Sequence, residues 1–385
     1  MAFDAIVVGG GPAGSTAARE LAASGARVLV VDRAKFPRYK ACGGGIPLRT
    51  ERLLPFPIDS VVEDSVRRLD VACDGKGRFV RDSGTPFAHM VMRDRFDHLL
   101  LEQARIAGAE VRQGTAVRAV TADARGVRVS GDGFDAEASF LICADGAHSP
   151  VGKMAGLGTT IPECAAWEIE VAAPAASLRS YAARSLIELG YDPWGYAWLF
   201  PKANVLSIGI VLPRDQAGTM KGRVDAYLRR LRLEGSPVEI ARGHKIRFRR
   251  AHEPIAAGRV LLSGDAAGMA DEFTEEGISY AVHSGRLAAR NVLRALGSGE
   301  SPADGYTRDI DAEIMPELKA ARVIGYMFYG MLRRAARPWM FASAHTPFLW
   351  DAFFAVQKGE STYAREVARI PLLPAIARRR LRNQL

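Results

Sequence analysis

The feature that most constrains this chain is a run of glycines set between an apolar segment and a helical one. Residues 4–9 read Asp-Ala-Ile-Val-Val-Gly, Gly9-Gly10-Gly11-Pro12-Ala13-Gly14 fits G-x-G-x-x-G, and Ser15–Ser24 carries alanines and a leucine suited to a helix. A second apolar run, Arg27–Val31, ends on Asp32. Together these predict a strand, a crossover helix and a parallel strand, the opening unit of a doubly wound sheet. Gly9 permits the tight turn, Gly11 lets backbone amides approach a pyrophosphate, and Gly14 lets the helix lie close to the strand, while the helix N-terminus adds positive dipole. Asp32, 18 residues after Gly14, stands where a carboxylate accepts ribose hydroxyls. An acid there prefers a 2′-hydroxyl to a 2′-phosphate, so the turn suits FAD or NAD rather than NADP. Gly9, Gly11, Pro12, Ala13, Gly14, Asp32 and the adjacent Arg33 are the first cofactor-binding candidates.

A chain of 385 residues is long enough for more than one core. Its 48% hydrophobic and 25% charged content is that of a folded globular protein. Cysteines at 42, 73, 143 and 164 contain no C-x-x-C pair, which suits neither a zinc knuckle nor a disulfide framework and makes a reducing cytoplasm the expectation. Met1–Gly14 has no basic region ahead of its apolar run and does not read as a secretory signal. The aromatic-rich tract from Val323 to Val356 is interrupted by Arg333, Arg334, Arg337 and Asp351, so no membrane-spanning helix is expected. The net charge of +9 is partly concentrated in Arg378, Arg379, Arg380 and Arg382; such a cluster suits an ordinary solvated surface or peripheral contact with anionic lipid. Nucleic acid is not expected as a partner.

Texture along the chain divides it. Short strands and a helix fill the region up to Cys143, and alternating strand patterns dominate from Cys164 to about Arg250. A buried run at Arg259–Ser263 is followed by helical spacing from Ile278 to Leu293. The expected fold is α/β: a Rossmann-type nucleotide-binding domain (residues 1–75, 91–160 and 251–300), an inserted antiparallel-sheet substrate domain (76–90 and 161–250), and a C-terminal helical region (301–385). Aromatics crowd that last region, from Tyr326 and Phe328 to Phe353 and Phe354, as a core or as an apolar wall for a long ligand.

Two further elements follow predicted strands: Ala144-Asp145-Gly146-Ala147-His148-Ser149-Pro150, and Leu262-Ser263-Gly264-Asp265-Ala266-Ala267-Gly268. With the N-terminal glycine motif they make the chain resemble the flavoprotein hydroxylase superfamily, whose fingerprints occur in this order. The resemblance implies FAD, with Asp145 and Gly264 in the fingerprints, Asp265 near the ribityl chain, and the amides of Gly277 and Ile278 at a helix start facing the pyrimidine edge of the flavin. A helix start stabilises the negative charge that reduced flavin gathers there.

Phe36-Pro37-Arg38-Tyr39-Lys40-Ala41-Cys42-Gly43-Gly44-Gly45 resembles the flavin-side loop of geranylgeranyl reductases, and Pro193–Pro201 fits their P-x-x-Y-x-W-x-F-P motif. The resemblance implies Cys42, Gly43 and Gly45 beside the flavin, Arg93 as an arginine reaching FAD from a helix start, and Val117 where backbone holds adenine. It makes Tyr196, Trp198 and Phe200 pocket residues, with Cys42, Tyr196 and Trp198 the catalytic candidates. Arg95 is expected to pair with Asp94 or Asp97.

The implied reaction is saturation of carbon–carbon double bonds in a polyprenyl or other large apolar substrate, with electrons from NAD(P)H or a redox protein. An isolated alkene has no carbonyl to take charge, so hydride delivery must be accompanied by protonation of the other carbon in a dry tunnel. A monooxygenase or halogenase on the same fold is the alternative, and a flavoprotein acting on or with a protein partner is the second. Two departures from the family pattern stand out. Glu272 and Glu275 replace an expected proline and glycine, so that a carboxylate either stabilises a helix start or stands near the flavin and lowers its potential. Residues 242–250 are unusually basic, as a solvent-facing strand side or as a grip for a diphosphate or acidic partner. The seven histidines show no metal-ligand spacing and no G-x-S-x-G turn occurs.

Overall fold

In the computed structural model, which describes residues 3–74, 76–191, 194–250 and 253–370, the first apolar run is the strand Phe3–Val8 and the glycine turn leads into the helix Pro12–Ala23. A sheet is built around this unit in the order Ala256–Ala257, Val260–Leu262, Phe134–Cys143, Phe3–Val8, Val28–Asp32, Glu110–Gln113. Each neighbouring pair is parallel except the outermost, Ala256–Ala257 with Val260–Leu262. Ile6 and Val7 point to opposite faces of their strand, and both are fully buried, so both faces of the sheet are covered, as a parallel sheet requires. The hairpin Val117–Ala122 and Val127–Gly131 extends Phe134–Cys143 antiparallel.

The glycines set the helix packing. A Cβ on Gly14 would stand 1.8 Å from the Gly9 carbonyl oxygen, and one on Gly285, in the helix Ile278–Ser298, would stand 2.4 Å from the carbonyl of Ala13. Gly9 itself has φ +104° and would meet the Ala144 carbonyl at 2.2 Å. The first helix is therefore wedged against the strand behind it and the late helix beside it, at distances only glycine allows.

A second sheet runs Val238–Arg247, Glu163–Val171, Leu206–Pro213, Tyr196–Pro201, Arg184–Leu189, Arg68–Cys73, Arg78–Asp82. It is antiparallel except where Arg184–Leu189 meets Arg68–Cys73. Arg68–Cys73 lies ahead of the expected boundary at 76, yet it is hydrogen-bonded in this sheet. Ala88–Val91 instead belongs to a small third sheet with Gly45–Pro47 and Val62–Val66. Helix Met220–Leu231 packs on the second sheet through Met220, Val224 and Tyr227. Five helices between Ala303 and Ala368 complete the described chain. Their aromatics Tyr329, Trp350 and Phe354 join Leu69, Val71 and Phe87 in a separate apolar cluster.

The basic stretch is mostly consumed inside the molecule. Lys245 pairs with Glu163 at 3.0 Å, Arg247 donates to the carbonyls of Ala266 and Gly158, and Arg249 donates to that of Glu253. Arg250 and Arg322 meet Glu272 at 3.4 and 2.5 Å, which gives Glu272 a structural task. Arg95 pairs with Glu63 at 2.6 Å rather than with the acids of its own helix, because Asp97 is taken by Arg93 and Arg38. Pro193 and the Arg378–Arg382 cluster lie outside the described residues.

One buried ion pair braces the second sheet where it meets the loop after Phe36. Lys202 and Glu170, each 1% exposed at the side chain, approach to 2.5 Å. Burial pushes the Glu170 carboxyl up to about 7, although Lys202 pulls it down, and Glu168 adds repulsion. A carboxyl whose pKa is higher in the folded than in the unfolded state opposes folding increasingly as pH rises through that window. Lys202→Met removes the cation that favours the carboxylate. The expected outcome in urea unfolding is a loss of about 3–5 kcal/mol at pH 8 and a clearly smaller loss at pH 5, where the carboxyl is protonated; equal losses at both would refute it.

Candidate active site

The two large sheets and the C-terminal helices enclose a continuous cavity of about 1500 Å³. Gly9, Gly11, Pro12, Ala13, Asp32, Arg33 and Val117 line one end, Asp145, Asp265, Gly277 and Ile278 the middle, and Tyr196, Trp198 and Phe200 the far side. Cys42, Gly43, Gly45 and Arg93 lie along it as well. Gly14 and Gly264 do not line it. They act by close packing, Gly264 at φ +62° with room for only 2.8 Å between a Cβ and that of Ala13.

The nucleotide end is preorganised. Asp32 accepts from the amides of Gly10 at 2.7 Å and Ala34 at 2.8 Å, which fixes the turn and aims its remaining lone pairs at the cavity. A Cβ on Gly11 would meet nothing nearer than Arg38 Nη2 at 3.5 Å, leaving open space over the start of the first helix, where a pyrophosphate finds amides, dipole and guanidinium together. Asp145 is engaged locally, accepting from Ser149 Oγ at 2.7 Å and Val151 N at 2.8 Å. These residues fit a dinucleotide laid along the cavity.

Arg93 and Asp97 form a bidentate pair at 2.8 and 2.9 Å, and Arg38 adds a third contact to Asp97 at 2.9 Å. Burial alone would raise Asp97, yet the two guanidiniums hold it below the usual carboxylate range. Asp265 lies 3.4 Å from Lys40 Nζ and 3.6 Å from His244 Nε2. Here too burial is outweighed, chiefly by Lys40, and the carboxyl stays well below its ordinary value. Lys40, with burial second, depresses His244 to about 4, so His244 is neutral at pH 7. Sequence reading quoted Lys40 in its loop without giving it a task. Glu168, which accepts from the Cys42 amide and from Ser207 Oγ at 3.2 Å, was missed because nothing local marks a strand residue whose partner is over a hundred positions away.

The motif strand presents Tyr196, Trp198 and Phe200 to one side. Trp198 lies opposite Gly209 in the register, and a Cβ on Gly209 would overlap its indole at 2.1 Å, so the glycine makes room for the ring. The indole stacks on Phe200 at 6.2 Å, and its Nε1 has no hydrogen-bond partner. A Cβ on Gly43 would meet Phe200 at 2.7 Å, so the flavin-side loop lies directly on this strand. Tyr196 donates to the Thr274 carbonyl at 2.6 Å, which joins the strand to the segment ahead of Gly277.

That segment answers the question of the two glutamates. Glu276 accepts from the Ser279 amide at 2.7 Å and pairs with Arg49 at 2.7 Å; it, not Glu275, stabilises the start of the late helix. Glu275 lines the cavity with backbone φ +55°, the left-handed conformation that suits the family's glycine. Both of its carboxyl oxygens are buried without a hydrogen-bond partner. Burial and the neighbouring Asp271 push the carboxyl well above its ordinary value, against a smaller pull from the Tyr196 hydroxyl, so the site disfavours the negative charge expected near the flavin. Glu275→Gly should therefore raise stability by roughly 1–2 kcal/mol, through relief of backbone strain and of an unsatisfied buried carboxyl. Thermal and urea unfolding check this, and a less stable variant would contradict it.

The FAD binding domain family matches residues 2–283. The geranylgeranyl diphosphate reductase of Rhodobacter capsulatus is 35% identical over 335 residues, which cover 79% of this chain and 78% of that one. Among solved structures, a geranylgeranyl bacteriochlorophyll reductase-like protein from Thermoplasma acidophilum superposes with TM-score 0.77 at 24% identity, covering 86% of this chain and 88% of that one. A flavin-dependent brominase superposes with TM-score 0.74 at 19% identity, covering 100% and 99%; at these identities the two structures show the shared fold alone. The glycine cradle, the Asp265 cluster and the aromatic motif strand thus sit in a chain that belongs to the FAD binding domain family and is an FAD-dependent oxidoreductase of the geranylgeranyl reductase type.

Proposed function

We propose that this enzyme reduces carbon–carbon double bonds of a polyprenyl or comparably large apolar substrate. The observation that carries the reading is the single cavity, polar and cation-rich at the nucleotide end and walled by aromatic side chains at the other. Bound FAD in its reduced form supplies the hydride. The chain's own residues supply the rest. Arg38 and the start of the first helix suit the pyrophosphate, Asp32 the ribose, and Asp265 with Lys40 the ribityl region. Tyr196, Trp198 and Phe200 orient an apolar chain and exclude water, which a cation-like alkene carbon requires.

Cys42 is the proposed proton donor. Its thiol borders the cavity and interacts with Arg93, a cation suited to stabilise the thiolate left after donation. Electrons reach the flavin from NAD(P)H or a redox protein in this reading. An oxygen-using flavin reaction is the second reading, favoured only by the architecture shared with the brominase.

Anaerobic mixing of the reduced enzyme with a polyprenyl alcohol or diphosphate is the test. Flavin reoxidation without oxygen, with product gaining two hydrogens per double bond, is expected; turnover only with oxygen would favour the second reading. Trp198→Ala should lower turnover at least about tenfold with the flavin spectrum intact, and Cys42→Ser by about a hundredfold or more. Asp265→Ala should weaken FAD binding at least about tenfold in a fluorescence titration, since it leaves Lys40 without its carboxylate.

A further inference from the structure

The C-terminal helices carry an exposed apolar and basic surface beside the cavity. Met331 in the last turn of the helix Met315–Arg334 is 45% exposed, Phe341 on Ala336–Ala344 is 67% exposed, and Phe348 on Pro347–Lys358 is 64% exposed. Large aromatics at such exposure are unusual on a surface that faces only water. Arg333, Arg334 and Arg337 are exposed in the same stretch and pair with no carboxylate among the described residues. From Leu318 to Trp350 the chain contains no Asp or Glu. Protein–protein interfaces carry polar rims of mixed character, whereas basic residues beside exposed Phe and Met on short helices are what an anionic membrane surface selects.

The patch also borders an entrance. Phe348 lines the cavity together with Trp339, Ser343 and Leu349 and is 64% exposed, so the apolar end of the cavity approaches the surface beside it. A long prenyl chain is held in bilayers because its transfer to water is strongly unfavourable. An apolar mouth pressed to the bilayer spares it that transfer.

We propose that the face formed by Met331, Arg333, Arg334, Arg337, Phe341 and Phe348 docks on an anionic lipid bilayer, from which the substrate enters the cavity beside Phe348. The proposal rests on the reading of the substrate as a large apolar molecule. The substrate then passes Phe348 to reach the aromatic wall.

Cosedimentation of the full-length holoenzyme with phosphatidylcholine vesicles, with and without phosphatidylglycerol, tests it. Binding is expected only with the anionic lipid, and it should weaken as salt rises. The combined variant Arg333→Glu, Arg334→Glu, Arg337→Glu should lose at least about tenfold in vesicle affinity, the milder glutamine version less, and Phe341→Ser several-fold. Reversal of Arg105, Arg118 and Arg125, exposed elsewhere, changes net charge equally and should leave binding unchanged. These variants should keep wild-type unfolding curves and wild-type turnover of detergent-dispersed substrate. A wild type that ignores anionic vesicles overturns the proposal. So does equal loss in the control, loss only on replacing Arg378–Arg382, or self-association through Phe341 in light scattering. Vesicle binding by an enzyme that reduces no prenyl substrate would instead count against the proposed function and leave the docking face standing.

Discussion

The site depends on how the segment Phe36–Gly45 is fastened. Its Phe36 amide donates to Gln113 at 2.6 Å, Arg38 reaches Asp97 on the helix Arg93–Ile106, and Lys40 reaches Asp265. The Cys42 amide donates to Glu168 on the second sheet, and the Gly44 carbonyl accepts from Val91 at 2.9 Å. Five separate parts of the fold thus converge on ten residues with no regular structure before Gly45. Each tie is worth only about 1 kcal/mol, more where a charge takes part. Together they offset the entropy of ordering an irregular loop and set the width of the cavity. Loosening any one would move Cys42 relative to the motif strand, because Gly43 already touches Phe200 as closely as a residue without a side chain permits.

Within that frame, burial and cations sort the carboxyls into two kinds. Asp97 and Asp265 have guanidinium or ammonium partners, and they stay ionised although buried. Glu275 has none and is pushed well above its ordinary value, and Asp271, with Arg49 opposing its burial, is raised to about 6. Asp265 lines the cavity beside Lys40, and Glu275 lines it beside Tyr196. A charge at Glu275 would draw water into the aromatic wall, so the upward shift of its carboxyl is consistent with its place.

How much of this was legible in the sequence follows from the range of each interaction. The first turn was legible because Gly9, Gly14 and Asp32 act on atoms within one strand–helix–strand unit, and such contacts have a fixed spacing. Trp198 and Phe200 were legible through strand alternation, which places residues two apart on one face whatever the partner strand. The substitution at Glu275 was visible, but its ionisation was not, since that depends on Asp271 and on which atoms enclose the carboxyl. Glu168, Lys202 and the internal satisfaction of Arg247 and Arg249 were illegible for the same reason: a long-range partner leaves no local period. The charge of the 242–250 strand left a solvent-facing side and an external ligand both open, because Arg247 and Arg249 are met by the carbonyls of Ala266, Gly158 and Glu253, which every sequence contains.

The C-terminal helices are the instructive case, because their residues serve two purposes with one composition. Tyr329 is 7% exposed within an apolar cluster and donates to the Phe273 carbonyl at 3.0 Å, yet it also borders the cavity. Aromatic side chains can do both, since one face of a ring packs while its edge or other face stays open. Helical periodicity therefore identifies the helices without saying which aromatic is core and which is wall. The family match ends at residue 283, whereas Phe328, Trp339, Trp350 and Phe353 of the wall all lie beyond it. The half of the cavity lined by the glycine turn is fixed by glycines and charged pairs that tolerate little change. The other half is made of packed rings, whose exchange alters shape at modest cost so long as volume is kept. Substrate choice can then shift through the helical region without disturbing the nucleotide turn, and a chain built this way concentrates its individuality in the part whose sequence is least readable.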